Sequence, residues 1–265
     1  SRPVTRTARR MHPTGWWISS RPLPVPPSAL RRHGELPMEL ATLNDAFRKV
    51  GLTPRGAFHP EPDDGVPDVK PGHPTATLVL AGNAGPDMWD AFSACRDPAR
   101  DLLDDWSRDV LAPLAEAFGG LALYPFQKPH LPFQRWAQKA EPCQASPLGM
   151  FIHPDYGLWH GYRGAVALHE RLSLPIADKR LSPCETCPGK PCLSTCPVHA
   201  FSPSGYDVPA CAYHLEGRDG ADCMELGCRA RRACPEGNAA RYQPAQTAFH
   251  MTAFLKARRK DGSLS

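Results

Sequence analysis

Apolar positions fall at helical spacing in MELATLNDAFRKVG, at Leu40, Leu43, Phe47 and Val50, and Gly51 follows as a stop, which predicts a first helix. GLTPRGAFHPEPDDGVPDVKPGHP is crowded with turn formers and reads as loop, with one short strand around Ala57-Phe58. TATLVLAG is a short apolar run between Pro74 and Gly82, the pattern of a buried strand. PDMWDAFSAC reads as a short helix. Asp97-Pro98 then supplies an N-cap and a first-turn proline for a helix whose ladder is Leu102, Trp106, Val110, Leu114 and Phe118, ended by Gly119-Gly120. Pro113 is expected to kink that helix or break it in two. LALYPF is a further strand and PFQRWAQKAE a further helix. GMFIHP and RGAVALHE are the next two strands, joined by a tight turn at Asp155 to Gly157. QPAQTAFHMTAFLKARR closes the chain as a helix. Strands interspersed with helices predict an α+β domain over residues 38–175. A Pro/Arg-rich extension, expected to be poorly ordered, precedes it over 1–37, and a cysteine-rich module follows over 176–265.

Cysteine changes the picture most. Eight of the ten fall between Cys184 and Cys234. PCETCPGKPCLSTCP places Cys184, Cys187, Cys192 and Cys196 in order, with Pro197 directly after; Cys211, Cys223, Cys228 and Cys234 follow, closed by Pro235. A bacterial ferredoxin run is C-x2-C-x2-C-x3-C-P, and its fourth cysteine ligates the other cluster. Here the second gap is widened to the four residues PGKP. That crossing rule assigns Cys184, Cys187, Cys192 and Cys234 to one [4Fe–4S] cluster, and Cys196, Cys211, Cys223 and Cys228 to the other. Two structural zincs are the competing reading, since four-thiolate zinc sites also begin C-x2-C, although they usually come as separated pairs. A disulfide framework would need an oxidising compartment. Cys95 and Cys143 lie outside the set and read as ordinary small residues.

The net charge of +4 over 265 residues is a local matter. Residues 1–34 carry seven arginines and no acidic residue, which leaves 24 basic against 27 acidic residues in the rest, net −3. A broad basic face for nucleic acid is therefore not indicated. No run approaches the ~18 apolar residues of a membrane helix. Arg9-Arg10 is followed by no apolar stretch, so it does not read as an export signal. The expected location is the cytoplasm, where thiols stay reduced.

SPLGMFIHPDYGLWHGYRGAVAL crowds two histidines, two tyrosines, a tryptophan and an arginine into a strand–turn–strand, which on its own reads as an aromatic structural corner. The string Ile152-His153-Pro154, Gly157-Leu158-Trp159 and Arg163-Gly164 also resembles the CblC-type cobalamin-processing proteins. HPTATLVLAGNAGPDMWDAF and KPHLPFQRWAQKAE fall in the order of that family, so the resemblance covers roughly residues 40–172. The cysteine module resembles that of epoxyqueuosine reductases and corrinoid reductive dehalogenases, which place two [4Fe–4S] clusters after a CblC-like domain.

The combined resemblance implies a flavin-reductase-like α+β fold followed by a ferredoxin-like module, and single-electron transfer from the clusters to a cobalamin. In that reading a low-potential donor of the ferredoxin or flavodoxin type feeds the clusters, and a corrinoid or other small molecule accepts. Trp159, Tyr156, Phe151 and Trp136 would floor the cofactor pocket, with Arg163 and His153 on its rim. Arg163 falls on an arginine implicated in the CblC site. The chain departs from these families in places. The D-x-H-x-x-G motif of other B12 proteins is absent, as it is from the CblC-like group. The Arg-Asp-Tyr-His string of epoxyqueuosine reductases is not found, and the helical repeats that grip tRNA do not follow the cysteines, which points away from tRNA reduction. A dehalogenase-like acid would be Tyr124, Tyr156 or Tyr162. The rival expectations are a dicluster electron carrier without a corrinoid, and a cobalamin-trafficking protein.

Overall fold

The computed structural model describes residues 38–95, 103–202 and 204–260. The extension over 1–37 and the Asp97-Pro98 helix start lie outside the described residues. At the centre are β1 (Thr53–Phe58), β2 (Thr77–Ala84), β3 (Leu121–Leu123) and β6 (His160–Leu168), an antiparallel sheet in the order β1-β2-β6-β3. β2 is buried along nearly its whole length because it has a strand on either side and helices on both faces.

Alternation sorts the side chains. Val79, Ala81, Val166 and Leu168 face α1 (Leu40–Lys49), α2 (Asp87–Cys95) and α3 (Leu103–Ala117) through Leu43, Phe47, Trp89, Phe92 and Trp106. Leu78, Leu80, Ala165 and Ala167 face the opposite way, onto Phe133 and Trp136 of α4 (Phe133–Ala140). The mixed helix-and-sheet class is thus the expected α+β.

Several local expectations are corrected. The segment read as mostly loop contains a six-residue strand, β1, because pairing with β2 overrides its turn-forming residues. Only Leu121–Leu123 of LALYPF pairs. GMFIHP and RGAVALHE do not form a hairpin: β5 (Phe151–Ile152) pairs instead with β4 (Gln144–Ala145), while β6 joins the main sheet. The turn between them closes on itself through the His153 and Gly157 backbones, at 2.9 and 2.8 Å. α3 runs through Pro113 as one element. Pro113 and Asp109, whose carbonyl loses its partner, both lie on the exposed face, where water can take that bond.

The cysteine segment is built of short helices: α5 (Pro183–Thr186), α6 (Pro191–Ser194), α7 (Val208–Glu216), α8 (Ala221–Leu226) and α9 (Arg229–Arg232), with a small ladder of β7 (Phe201–Ser202) and β8 (Gly205–Tyr206). α10 (Pro244–Lys260) then packs on both parts of the chain. Its Phe249 meets Trp89 at 5.3 Å and Phe92 at 5.6 Å, while Leu255 and Met251 lie against Leu215 and Cys223. Leu36–Ser265 forms one compact unit. Among the described residues, no helix is long and apolar enough to cross a membrane.

Two turns touch backbone to backbone where the cysteine segment meets the sheet. A Cβ on Gly157 (φ +55°) would stand 2.2 Å from the Glu236 carbonyl oxygen, and one on Gly237 (φ +68°) would stand 2.1 Å from the Tyr156 carbonyl carbon. Gly72 (φ +75°) has the same left-handed backbone with open space around it. Gly72→Ala should therefore show only the left-handed penalty, roughly 1–2 kcal/mol. Gly157→Ala is expected to cost roughly 1–3 kcal/mol more, from overpacking. Comparing the two by thermal melting isolates that contact, and equal melting temperatures would mean the two turns do not bear on each other.

Candidate metal centre

Each cysteine is placed by a short, sharply turned element. Ser182 caps α5 by accepting from the Cys184 N–H at 3.3 Å. Gly189 (φ +69°) and Lys190 (φ +40°) turn the widened gap back so that Cys192 on α6 returns beside Cys184 and Cys187. Asp207 caps α7, which carries Cys211, with its carboxylate accepting from Ala210 N–H at 2.9 Å. Gly227 (φ +86°) turns the chain from Cys223 on α8 to Cys228.

The result is two small cavities, each lined by four cysteines. Cys184, Cys187, Cys192 and Cys234 line the first, with Ile152, Pro147 and Pro235. Cys196, Cys211, Cys223 and Cys228 line the second, with Phe201, Leu215 and Met251. Thiol electrostatics divides the same way. Burial pushes the Cys192 thiol up, and Cys234, Cys184 and Cys187 add to it. Burial pushes Cys211 up to about 11; the Tyr206 hydroxyl opposes the shift, while Cys228, Cys196 and Cys223 add to it. Cys192 and Cys211 therefore hold their protons more firmly than free thiols do until positive charge enters their cavities. Among the described residues no three His, Cys, Asp or Glu side chains converge on a single ion. The thiols ring a space instead.

Beside the first cavity lies a buried polar network that the sequence reading missed. Arg55, wholly buried in β1, grips Glu141 through Nε (2.9 Å to Oε1) and Nη2 (2.6 Å to Oε2). Tyr162 donates to the same carboxylate at 2.9 Å, and the Cys143 sulfur lies 3.1 Å from the Tyr162 hydroxyl. Burial opposes the charge on Arg55, but Glu141 outweighs it, and the guanidinium is held more firmly charged than usual. The only signal in the sequence was an arginine in a segment otherwise read as loop.

Arg55 also fixes a tautomer. A guanidinium can only donate, so His160 Nδ1, 3.1 Å from Arg55 Nη2, accepts, and its Nε2–H donates to the Phe151 carbonyl at 3.1 Å. Burial first, then Arg55 and His153, push His160 down to about 3, and burial pushes His250 down to about 4. Both rings are neutral when folded and gain a proton on unfolding below the ordinary histidine pKa of about 6.5. The unfolded state then binds more protons, so stability is expected to fall with pH below about 6.5, by up to about 1.4 kcal/mol per pH unit for each ring. Urea midpoints at several pH values check this. His160→Gln should show a shallower loss than wild type, and parallel slopes would remove His160 as a source.

The six residues expected to hold a cofactor occupy four settings. His153, buried, stacks on Tyr156 at 4.5 Å, with Arg55 5.2 Å from the Tyr156 ring, and Gly157 is pressed against Glu236. Trp159 is wholly buried; it meets Tyr242 edge-on at 5.5 Å, and the Arg231 guanidinium covers its ring at 4.3 Å. Arg163 turns toward α3, where it donates to Ser107 Oγ at 3.0 Å and pairs with Asp104. A register slip after Ala81, which pairs with Gly164 while Gly82 pairs with Tyr162, sets Arg163 apart in the ladder. Trp136 is a core residue, fully buried against Phe133, with its indole N–H donating to the Asp64 carbonyl at 2.8 Å.

No protein-family model matches the chain, and no curated protein matches it significantly.

Proposed function

We propose that this chain is an iron–sulfur oxidoreductase that holds two [4Fe–4S] clusters and passes single electrons to an acceptor held by its α+β part. The observation that carries this reading is the pair of cavities with four cysteines lining each. A zinc ion with Zn–S bonds of ~2.3 Å would need its sulfurs about 3.8 Å apart around one point. The doubled run of four cysteines closed by Cys-Pro suits a pair of polynuclear clusters better. When bound, the clusters supply one-electron reduction at potentials set by burial, charge and hydrogen bonds to sulfur.

The residues present serve those levers. Phe201, Leu215 and Met251 keep the second cavity apolar, and the Ala200 N–H donates to Cys196 Sγ at 3.4 Å. In the first cavity, Ile152 follows Phe151, whose carbonyl accepts from His160, so the cavity wall is anchored to the Arg55 network.

The acceptor implied by the resemblance is a corrinoid. One observation favours the second reading, a dicluster electron carrier without one: the aromatic rings expected to floor a corrinoid pocket are spent on packing, Trp136 in the core and Trp159 under Arg231. Anaerobically reconstituted protein should contain about eight irons and eight sulfides per chain, with a visible band that bleaches with dithionite. Zinc without visible absorbance would sink the proposal. Titration with hydroxocobalamin then separates the acceptors. A stoichiometric spectral shift followed by reduced-cobalamin bands supports the corrinoid, and normal bleaching with no shift leaves the carrier.

A further inference from the structure

Thr195, Asp222, Arg229, Arg232, Ala233 and Arg241 surround an open depression of about 450 Å³. Its charge is unbalanced. Arg229 and Arg232 share the single carboxylate of Asp222, each at 2.5 Å. Among the described residues, Arg241 hydrogen-bonds only to neutral oxygens, the Arg232 carbonyl at 2.9 Å and the Asn238 side chain at 3.0 Å, and its guanidinium lies 5.5 Å from the Trp159 ring. Three guanidiniums thus face one carboxylate, on a chain that is net −3 beyond residue 34.

The depression also lies where the two thiol quartets meet. Thr195 precedes Cys196, Arg229 follows Cys228, and Ala233 precedes Cys234, so its rim is chain-adjacent to ligands of both sets. Arg229 lines the second cavity as well.

We propose that this arginine depression is the docking surface for an acidic electron-donor protein. The inference rests on the two-cluster reading and names its partner's chemistry and point of entry. Positive charge confined to one site orients an incoming acidic surface and raises the encounter rate. The depression is open and shallow, as a protein contact requires. None of its lining residues is aromatic, so it lacks the stacking platform that a single-stranded nucleic acid uses. The step is a simple exchange: one electron leaves the reduced donor, which is oxidised, and enters a cluster of this chain, which is reduced, with no bond made or broken.

The test uses full-length, cluster-loaded protein and a photoreduced plant-type [2Fe–2S] ferredoxin of net negative charge as the probe. Cluster bleaching is followed by stopped flow at about 20 mM and about 300 mM salt, below and above the range where surface charges are screened. Wild-type reduction should slow steeply with salt. Arg241→Glu should slow it at least ~10-fold at low salt, with Arg241→Lys near wild type and the difference vanishing at high salt. Iron content and dithionite bleaching should be unchanged in both variants. Equal rates for Arg241→Glu and wild type, or no salt dependence, would overturn the surface. So would tighter, Arg241-dependent binding of a single-stranded RNA oligomer. If the protein carries no iron, the cluster reading fails on its own; calorimetry of the same ferredoxin with the cluster-free chain then decides the surface, with Arg241-dependent binding supporting it and its absence refuting it.

Discussion

Cys192→Ala and Cys196→Ala, four residues apart, are expected to abolish different clusters, whereas Cys184→Ala and Cys234→Ala, fifty residues apart, are expected to abolish the same one. The reason is the chain path. After Cys192 the α6 turn ends, and Cys196 enters the second cavity with Cys211, Cys223 and Cys228. Cys234 returns after α9 to line the first, and the thiols that push its own upward, after burial, are Cys184 and Cys187. Each variant should retain about four of about eight irons per chain. Low-temperature EPR after dithionite should show one surviving spectrum shared by Cys184→Ala and Cys234→Ala, and another shared by Cys196→Ala and Cys223→Ala. If Cys192→Ala and Cys196→Ala leave the same spectrum, the quartets are wrongly drawn. Loss of zinc instead of iron would point to a different metal in the same donor sets.

Glu141→Ala is expected to destabilise the fold by about 3–5 kcal/mol, the cost of leaving a buried charge without its partner. Arg55 is wholly buried and its other contacts are neutral: the Asn83 carbonyl at 3.1 Å, His160 Nδ1 at 3.1 Å and the Tyr162 hydroxyl at 3.4 Å. None of them replaces a carboxylate. Glu141→Ala should therefore melt roughly 10 °C lower, taking ~2–4 °C per kcal/mol for a chain of this size. The double variant Arg55→Met/Glu141→Met removes both charges and should recover much of the loss, since a buried ion pair replaced by apolar groups is often nearly neutral. Urea unfolding at neutral pH measures both. A loss under 1 kcal/mol for Glu141→Ala would mean that water reaches Arg55 and the network is not buried in solution.

The helices were the most legible part of the fold. The spacing of Leu40, Leu43 and Phe47, and the apolar face of PFQRWAQKAE, depend on neighbours within a turn or two, and those helices form where the pattern places them. Strands were less legible because their partners are distant. β1 is held by β2, some twenty residues on, and GMFIHP is drawn away from RGAVALHE by its pairing with Gln144–Ala145. A turn signal marks where a chain can reverse; it does not name the strand that the returning segment will pair with.

The two thiol quartets can be written down from the order of the cysteines, because a run closed by Cys-Pro sends its last cysteine to the other set. The residues around them cannot. Arg55 finds Glu141 across 86 positions, Trp136 is spent on Asp64 across 72, and Arg163 is turned onto α3 by a slip in a strand ladder. The arginine depression likewise exists only because α9 and the turn after Cys234 bring Arg229, Arg232 and Arg241 to one side. The sequence by itself therefore determined α1, α4 and α10, the α+β class and the grouping of the thiols, all governed by pattern along the chain. Tertiary structure alone decided which polar side chains are buried in pairs and which remain on the surface to meet a partner, since burial and long-range contact are properties of the packed chain.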